Sequence, residues 1–281
     1  MKLQSLVLIA AIAFFVLSCG KTEQQAETIE TTQEEGVSEE TEQAETLTAT
    51  LERDPRTIGT DKSKEQYKIE ENIYEINASE NPLYGFWVGS FGKNKINIAL
   101  AHVDKDSIFG HSVCAGNFRP IKGSLKESHP GVYDIQMKEP GDDQYDGEFK
   151  FTIDLSKKEL TGSWKPYKNT VSAKEYTLKK RIYKYDARLG DYPDASTRYL
   201  EESDVENLLP EEIEMIRNEI YARHGYSFQN LRIRRIFDAK DWYIPMCIDI
   251  RDQLTEVEAH NIILLYNYEE YYDDYYDSYG R

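Results

Sequence analysis

From Tyr84 to Tyr185 the chain repeats one pattern, and no other feature limits its fold so strongly. Short runs carry an apolar residue at every second position, and each run is closed by a cluster of turn formers. In KINIALAHV, Ile96, Ile98 and Leu100 share a face; in GEFKFTID, Phe149, Phe151 and Ile153 alternate with Glu148, Lys150 and Thr152. GVYDIQM carries a looser version with Val132, Ile135 and Met137. Successive side chains of a strand point to opposite faces, so period two predicts strands with one face buried. The stretches DKDS, AGN, SHPG, PGDDQYDG and DLSKK supply turns between them. Adding YGFWVGSF, SIFGHSV, FRPIKGSLK, ELTGSWK and KEYTLKKRIY brings the count to about eight strands. Connections this short join sequential neighbours. They predict an antiparallel up-and-down β-barrel-like domain over residues 84–185, its interior filled by side chains.

From about Ser196 the period changes to that of a helix. PEEIEMIRNEIYARHG opens on Pro210, suited to a first helical position, and Glu211 and Glu212 follow at the positive end of the dipole. Ile213, Ile216, Ile220 and His224 then recur on one face, and Gly225 stands where a left-handed C′ residue is wanted. A second helix is predicted in QNLRIRRIFDA, with Leu231, Ile233, Ile236 and Phe237 inward, and DWYIP forms an aromatic anchor in a turn. A third opens at TEVE, where Thr255 and Glu258 have capping-box spacing, with Val257, Ile262, Leu264 and Leu265 on its core side. Residues 196–270 therefore read as a small all-α, three-helix domain, and the fold class as α+β with two domains. Residues 271–281 are an acidic, tyrosine-rich tail.

The first twenty residues, MKLQSLVLIAAIAFFVLSCG, place Lys2 before an apolar run from Leu6 to Leu17. A membrane span needs about 20 apolar residues, so this run suits the central region of a secretory signal instead. With Ser18 and Cys19 at its end, residues 1–18 resemble a bacterial lipoprotein signal peptide. The resemblance implies that Cys19 is acylated, palmitate among its chains, and anchors the protein to a membrane. Gly20, in the position where an aspartate usually holds such a protein in the inner membrane, implies the outer membrane. The folded regions would then lie on its periplasmic or cell-surface side. Between Lys21 and Glu45 stand nine glutamates and one lysine, so residues 19–66 are expected to be an acidic, disordered linker. A net charge of −17 argues against a nucleic-acid partner.

RNEIYARHGYSF, followed by Phe237, WYIP and LTEVEAHNI, resembles the YARHG domain over Asp204 to Glu270. That module belongs to secreted proteins and lipoproteins of bacteria, and the resemblance implies a location without implying a reaction. The opening Gly85, Phe86 and Trp87 resembles the glycine-x-tryptophan start of lipocalin-like barrels.

The candidate binding residues are Arg217, Glu219, Tyr221, Arg223, His224, Trp242 and Tyr243. Glu219 and Arg223 are four apart with the acid first, the favourable order for a helical ion pair, and Arg217 shares a face with Tyr221. His224 falls at the negative end of the helix, where its protonated form would interact with the dipole or its neutral ring could bond a freed carbonyl, with Trp242 and Tyr243 able to cover that end. Glu219 and His224 are separated by about 140° of helical rotation and point apart. No serine elbow, thiol or second histidine at ligand spacing accompanies His224, so no catalytic residue, metal site or cofactor is expected. EPGDDQYDGE, with Glu139, Asp142, Asp143, Asp146 and Glu148, lacks calcium-loop spacing and reads as a solvated acidic hairpin. Cys114 and Cys247 read as separate buried thiols. The expected function is that of a lipid-anchored envelope protein acting as a non-catalytic binding module for cell-wall polymer, an envelope protein or an external ligand. The alternatives are a cell-wall or glycan hydrolase using His224 or an Asp/Glu pair, and a lipocalin-like carrier of small molecules.

Overall fold

The computed structural model describes residues 63–275 except 74, 143, 169 and 170. The signal segment 1–18, Cys19, the linker as far as residue 62 and the tail beyond residue 275 lie outside the described residues. Every strand legible in the sequence is present: β1 Gly85–Phe91, β2 Asn94–Asp104, β3 Ser107–Cys114, β4 Asn117–His129, β5 Val132–Lys138, β6 Gly147–Asp154, β7 Glu159–Pro166 and β8 Lys174–Arg181. They pair in chain order as an antiparallel meander, and β8 returns to β1 from Phe86↔Arg181 to Gly89↔Leu178, which closes the barrel. The hairpins turn tightly. Lys105, Ala115 and Gly116 take φ values of 53°, 54° and 77°, the left-handed conformations that match the twist of paired strands.

Alternation decides what fills the barrel. Ile98, Leu100, Ile108, Ile121, Ile153 and Leu178 point inward and are fully buried. At the end where β1 begins, Leu83 and Trp87 seal the interior, and the Trp87 indole N–H donates to the Leu83 carbonyl at 3.1 Å. A short helix, α1 Lys64–Glu70, packs on β4 and β3 through the buried Ile69. It starts inside the segment expected to be linker. Ser63 and Gln66 form a reciprocal capping box there, with bonds of 3.2 and 2.6 Å.

The C-terminal region contains α2 Asp194–Thr197, α3 Glu202–Val205, α4 Pro210–Arg223, α5 Leu231–Asp238, a 3-10 turn at Arg251–Gln253 and α6 Glu256–Tyr275. Three of these are the expected helices; α2 and α3 are single turns whose sequences are too short to show a period. On α4, Leu209 has no side-chain acceptor to cap the helix, and Glu212 reaches back to its N–H at 2.9 Å. Ile213, Ile216, Ile220, Ile233 and Phe237 are buried as expected. Leu231 is not: as the first residue of α5, beside the Asn230 cap, it is 48% exposed. On α6 the fully buried positions include Glu258 and Asn261 beside Ile262 and Leu265, while Val257 and Leu264 are half-buried. This helix runs beyond residue 270 because Tyr268 and Tyr272 still pack on the core, and the Tyr272 hydroxyl donates to the Leu208 carbonyl at 3.0 Å.

Barrel and helices fall in one compact unit, and specific hydrogen bonds join them. The Lys95 backbone N–H donates to Asp238 at 2.9 Å, and its ammonium donates to the carbonyls of Lys240 at 2.7 Å and Tyr243 at 3.2 Å. Gly116 N–H donates to Ser227 Oγ at 3.0 Å, and Arg181 to the Asp241 carbonyl at 2.8 Å. Burial lowers the pKa of Lys95 and raises that of Asp238, so both sit in a poorly solvated seam. Among the described residues, no helix is long and apolar enough to cross a membrane. Replacing Lys95 by Met keeps the alkyl stem and removes the donors. We expect a loss of roughly 1–3 kcal/mol in urea unfolding, with faster amide exchange from Asp238 to Ile244; unchanged exchange there would show that the seam does not depend on Lys95.

Candidate functional site

The second half of α4 is buried on every side, which amphipathic spacing does not anticipate: Asn218, Glu219, Tyr221, Ala222, Arg223 and the following His224 are all shielded from solvent. Glu219 and Arg223 form the expected i, i+4 pair at 2.6 Å, with almost no exposure. Both also hold the segment before α2. The Glu219 carboxylate accepts the N–H groups of Asp191 at 2.9 Å and Tyr192 at 2.7 Å. Arg223 donates to the carbonyls of Leu189 at 2.6 Å and Tyr192 at 2.8 Å, and to Ser196 Oγ at 2.9 Å. The segment comes this close because Gly190 has φ +103° and no side chain; a Cβ there would meet the Glu219 carboxyl at 2.4 Å.

Ser196 passes the network on to Glu258, which has no exposed surface. Glu258 accepts five hydrogen bonds: from Ser196 Oγ at 2.6 Å, the Tyr185 hydroxyl at 2.9 Å, His224 Nε2 at 2.8 Å, and the Thr255 N–H and hydroxyl at 3.0 and 3.1 Å. The Thr255 bonds, with Glu258 N–H to Thr255 Oγ1 at 3.2 Å, are the capping box read from the sequence. Burial alone would raise the Glu258 pKa, but the bonds from His224, Ser196 and Thr255 outweigh it and hold the carboxyl at about 2. An ionised carboxylate only accepts, so His224 Nε2 carries the hydrogen and donates it.

His224 thus binds a carboxylate from α6, a partner that neither the helix dipole nor a freed helix carbonyl had suggested. Its ring is covered by Tyr185, stacked at 4.7 Å, in place of Trp242 and Tyr243. Those two serve elsewhere: Tyr243 is buried and its hydroxyl donates to the Tyr226 carbonyl at 2.6 Å, while half-buried Trp242 packs edge-on against Phe237 at 6.1 Å. Arg217 stacks on Tyr221 and Tyr266 and grips Glu269 through two bonds, of 2.9 and 3.1 Å. The seven sequence candidates therefore fall into separate internal clusters and do not converge on one cleft. Gly225 ends the helix at φ +76°, and its carbonyl accepts Met246 N–H at 2.7 Å; a Cβ there would lie 2.9 Å from the Ile244 carbonyl. Ser196 and Tyr185 escaped sequence reading because neither belongs to a periodic run. Cys114 is a free thiol that burial pushes up to about 11, so no bridge joins it to Cys247.

A second arrangement occupies the barrel end opposite Trp87. There the inward positions turn polar, and a cavity of about 220 Å³ remains between Phe91, Ile96, Phe149 and Trp164 below and Arg119, Glu139 and Lys174 above. The expectation of a solvated acidic hairpin fails for two of its carboxylates. Glu139 and Asp146 are buried at this end of the barrel, where the Glu139 N–H donates to the Gly147 carbonyl at 3.0 Å and holds the two ends of the connection together. Glu139 accepts from Gly147 N–H at 2.8 Å, Trp164 Nε1 at 3.1 Å and Ser112 Oγ at 3.3 Å, and Asp146 accepts from Arg119 Nε at 3.0 Å. Desolvation dominates at Glu139 and raises its pKa to about 7, against the pull of Arg119, Trp164 and Gly147. Among the described residues, no cluster of three or more His, Cys, Asp or Glu could hold a metal ion.

Residues 190–270 match the YARHG domain family, a span that takes in the Gly190 crossing and the whole Glu219–Arg223–Ser196–Glu258–His224 network. No curated protein matches the chain.

The two buried carboxylates carry opposite pH signatures. Glu258 stabilises the fold above its ordinary value of 4.5, and that contribution disappears as pH falls towards about 2. Glu139 resists ionisation in the fold, so stability falls as pH rises from 4.5 through about 7. We expect Glu139→Gln to flatten the decline in urea midpoint between pH 5 and pH 8; an unaltered slope would place its origin elsewhere. Glu258→Ala strands its donors and should cost roughly 3–5 kcal/mol, read from the same unfolding curves.

Proposed function

We propose that this chain is a lipid-anchored, non-catalytic binding protein of the bacterial envelope, tethered through Cys19 and offering the open end of its barrel to a ligand. The observation that carries this reading is how the YARHG residues are spent. Glu219, Arg223 and His224 direct their charged or polar groups into the protein and hold segments together, while the barrel end keeps an unfilled, aromatic-lined cavity. A hydrolase would need a nucleophile bonded to its base. Ser196 and His224 instead each bond Glu258, and all three side chains are buried, which supports a structural role for the trio.

The anchor is supported by the sequence: Lys2, the Leu6–Leu17 run, Ser18 and Cys19. Each buried CH2 of an acyl chain contributes about 0.8 kcal/mol, and one chain alone holds a protein only marginally, so stable anchoring takes at least two. Gly20 favours the outer membrane, and the nine glutamates between residues 21 and 45 suit a solvated tether that carries the folded unit away from the lipid surface. A cell-wall polymer, an envelope protein or an external small molecule are the partners open to such a build.

Growth with radiolabelled palmitate tests the anchor. The wild-type chain should take up label and enter the detergent phase of a two-phase extract, and Cys19→Ser should do neither. Equal partition of the two into water would end this reading. Binding is tested by retention of the Cys19→Ser chain on isolated envelope: saturable retention is expected, and its absence at every ionic strength would remove polymer and envelope protein as partners.

A further inference from the structure

At the polar end of the barrel Lys174 and Asn94 line the cavity with no hydrogen-bond or ion-pair partner for their side chains among the described residues, and Arg119 is only partly engaged. The Lys174 ammonium lies over the rings of Phe91 at 4.3 Å and Trp164 at 5.3 Å and pairs with no carboxylate there. Asn94 lines the cavity from the start of β2, and β1 separates β2 from the Lys174 strand, β8. Across the mouth, Arg119 gives Nε to Asp146 and leaves its two terminal nitrogens for other use. The acceptors are in the opposite state. Both oxygens of Glu139 are engaged by Ser112, Gly147 and Trp164, and Asp146 holds Arg119.

Below the donors the walls are ring surfaces and aliphatic carbon. Phe91 meets Trp164 edge-on at 5.8 Å and Phe149 at 6.5 Å, with Ile96 beside them. A cavity of about 220 Å³ would hold roughly seven waters at ~30 Å³ each. That volume suits a single substituted ring and is too small for an acyl chain or a folded peptide. A cation entering it would meet Lys174 and find the Glu139 acceptors already taken. A neutral ring would leave the donors unused.

We propose that the barrel-end cavity binds a small, ring-bearing organic anion, its ring against Phe149 and Trp164 and its anionic group at Lys174 and Asn94. This deepens the binding role proposed above and rests on it for the barrel end being the functional surface. The cavity is built from β-strand residues and the connections between them, so the helical region acts here as scaffold.

Three probes of one shape and different charge test the assignment: benzoate, benzyl alcohol and benzylamine, each titrated into the full chain while the Ile96 methyl and Trp164 indole resonances are followed. Benzoate should shift both resonances saturably, benzyl alcohol should do so more weakly, and benzylamine should leave them in place. Lys174→Met, which keeps the stem over Phe91 and Trp164, should weaken benzoate about tenfold, the worth of one charge-assisted hydrogen bond. It should leave benzyl alcohol unchanged. If benzylamine binds as well as benzoate, or if none of the three moves Ile96, the proposal is overturned, and the probe series on the unaltered chain reads this out even should the variant fold poorly. Palmitate labelling and envelope retention are separate readouts, so the anchor can stand while the cavity assignment falls.

Discussion

An ionised carboxylate with no access to water is tolerated only when hydrogen-bond donors replace the solvent it has lost. Glu258 meets that condition with five donors drawn from Tyr185, Ser196, His224 and Thr255, which come from four separate stretches of chain. Those stretches are thereby fixed relative to one another, and through Ser196 and Arg223 the constraint extends to Glu219 and the crossing at Gly190. The helical region is small, and its apolar core is supplemented by this buried polar network. The cluster resembles an active site because catalysis and structure demand the same thing of a buried charge: fixed, converging partners. What distinguishes them is where the unspent groups point, and here none of the trio points into a cleft.

Glu139 shows the other outcome of the same physics. Its donors are fewer, one of them is long at 3.3 Å, and Asp146 lies close by, so desolvation wins and the proton is held more tightly. Glu258 is stabilised as an anion and Glu139 is not. The difference is in donor number and in the neighbouring charge, since both carboxyls are buried.

The barrel has two unlike ends. Leu83 and Trp87 close one with apolar surface, and the other alternates into Asn94, Ser112, Arg119, Glu139 and Lys174 at positions that face inward. The helices dock beside β2 and at the Gly116 turn, through Lys95 and Ser227. Among the described residues, none that lines the cavity belongs to the helical region. The helical region thus docks at the rim of this same polar end, through Lys95 beside Asn94 and Gly116 beside Asn117, without adding a side chain to the cavity wall.

Strand number, strand order, the main helices and their principal inward residues were all legible in the sequence. Each depends on side-chain periodicity and short connections, which are local properties of the chain. The pairing of Glu219 with Arg223 and of Thr255 with Glu258 was legible for the same reason, because partners three or four residues apart on a helix must meet. The partner of His224 was not: it comes from α6, 34 residues away. Nor was the inward turn of Glu139 and Asp146, since a run of acids looks the same whether water or a barrel end receives it. Leu231 reads as core by composition and is exposed because the cap at Asn230 sets the rotation of α5. The sequence by itself determined the elements and their order, because backbone geometry makes those local choices. The tertiary structure alone decided which charges are buried, which donors remain unspent and where a cavity survives, because each of those depends on groups that meet only when distant segments close upon one another.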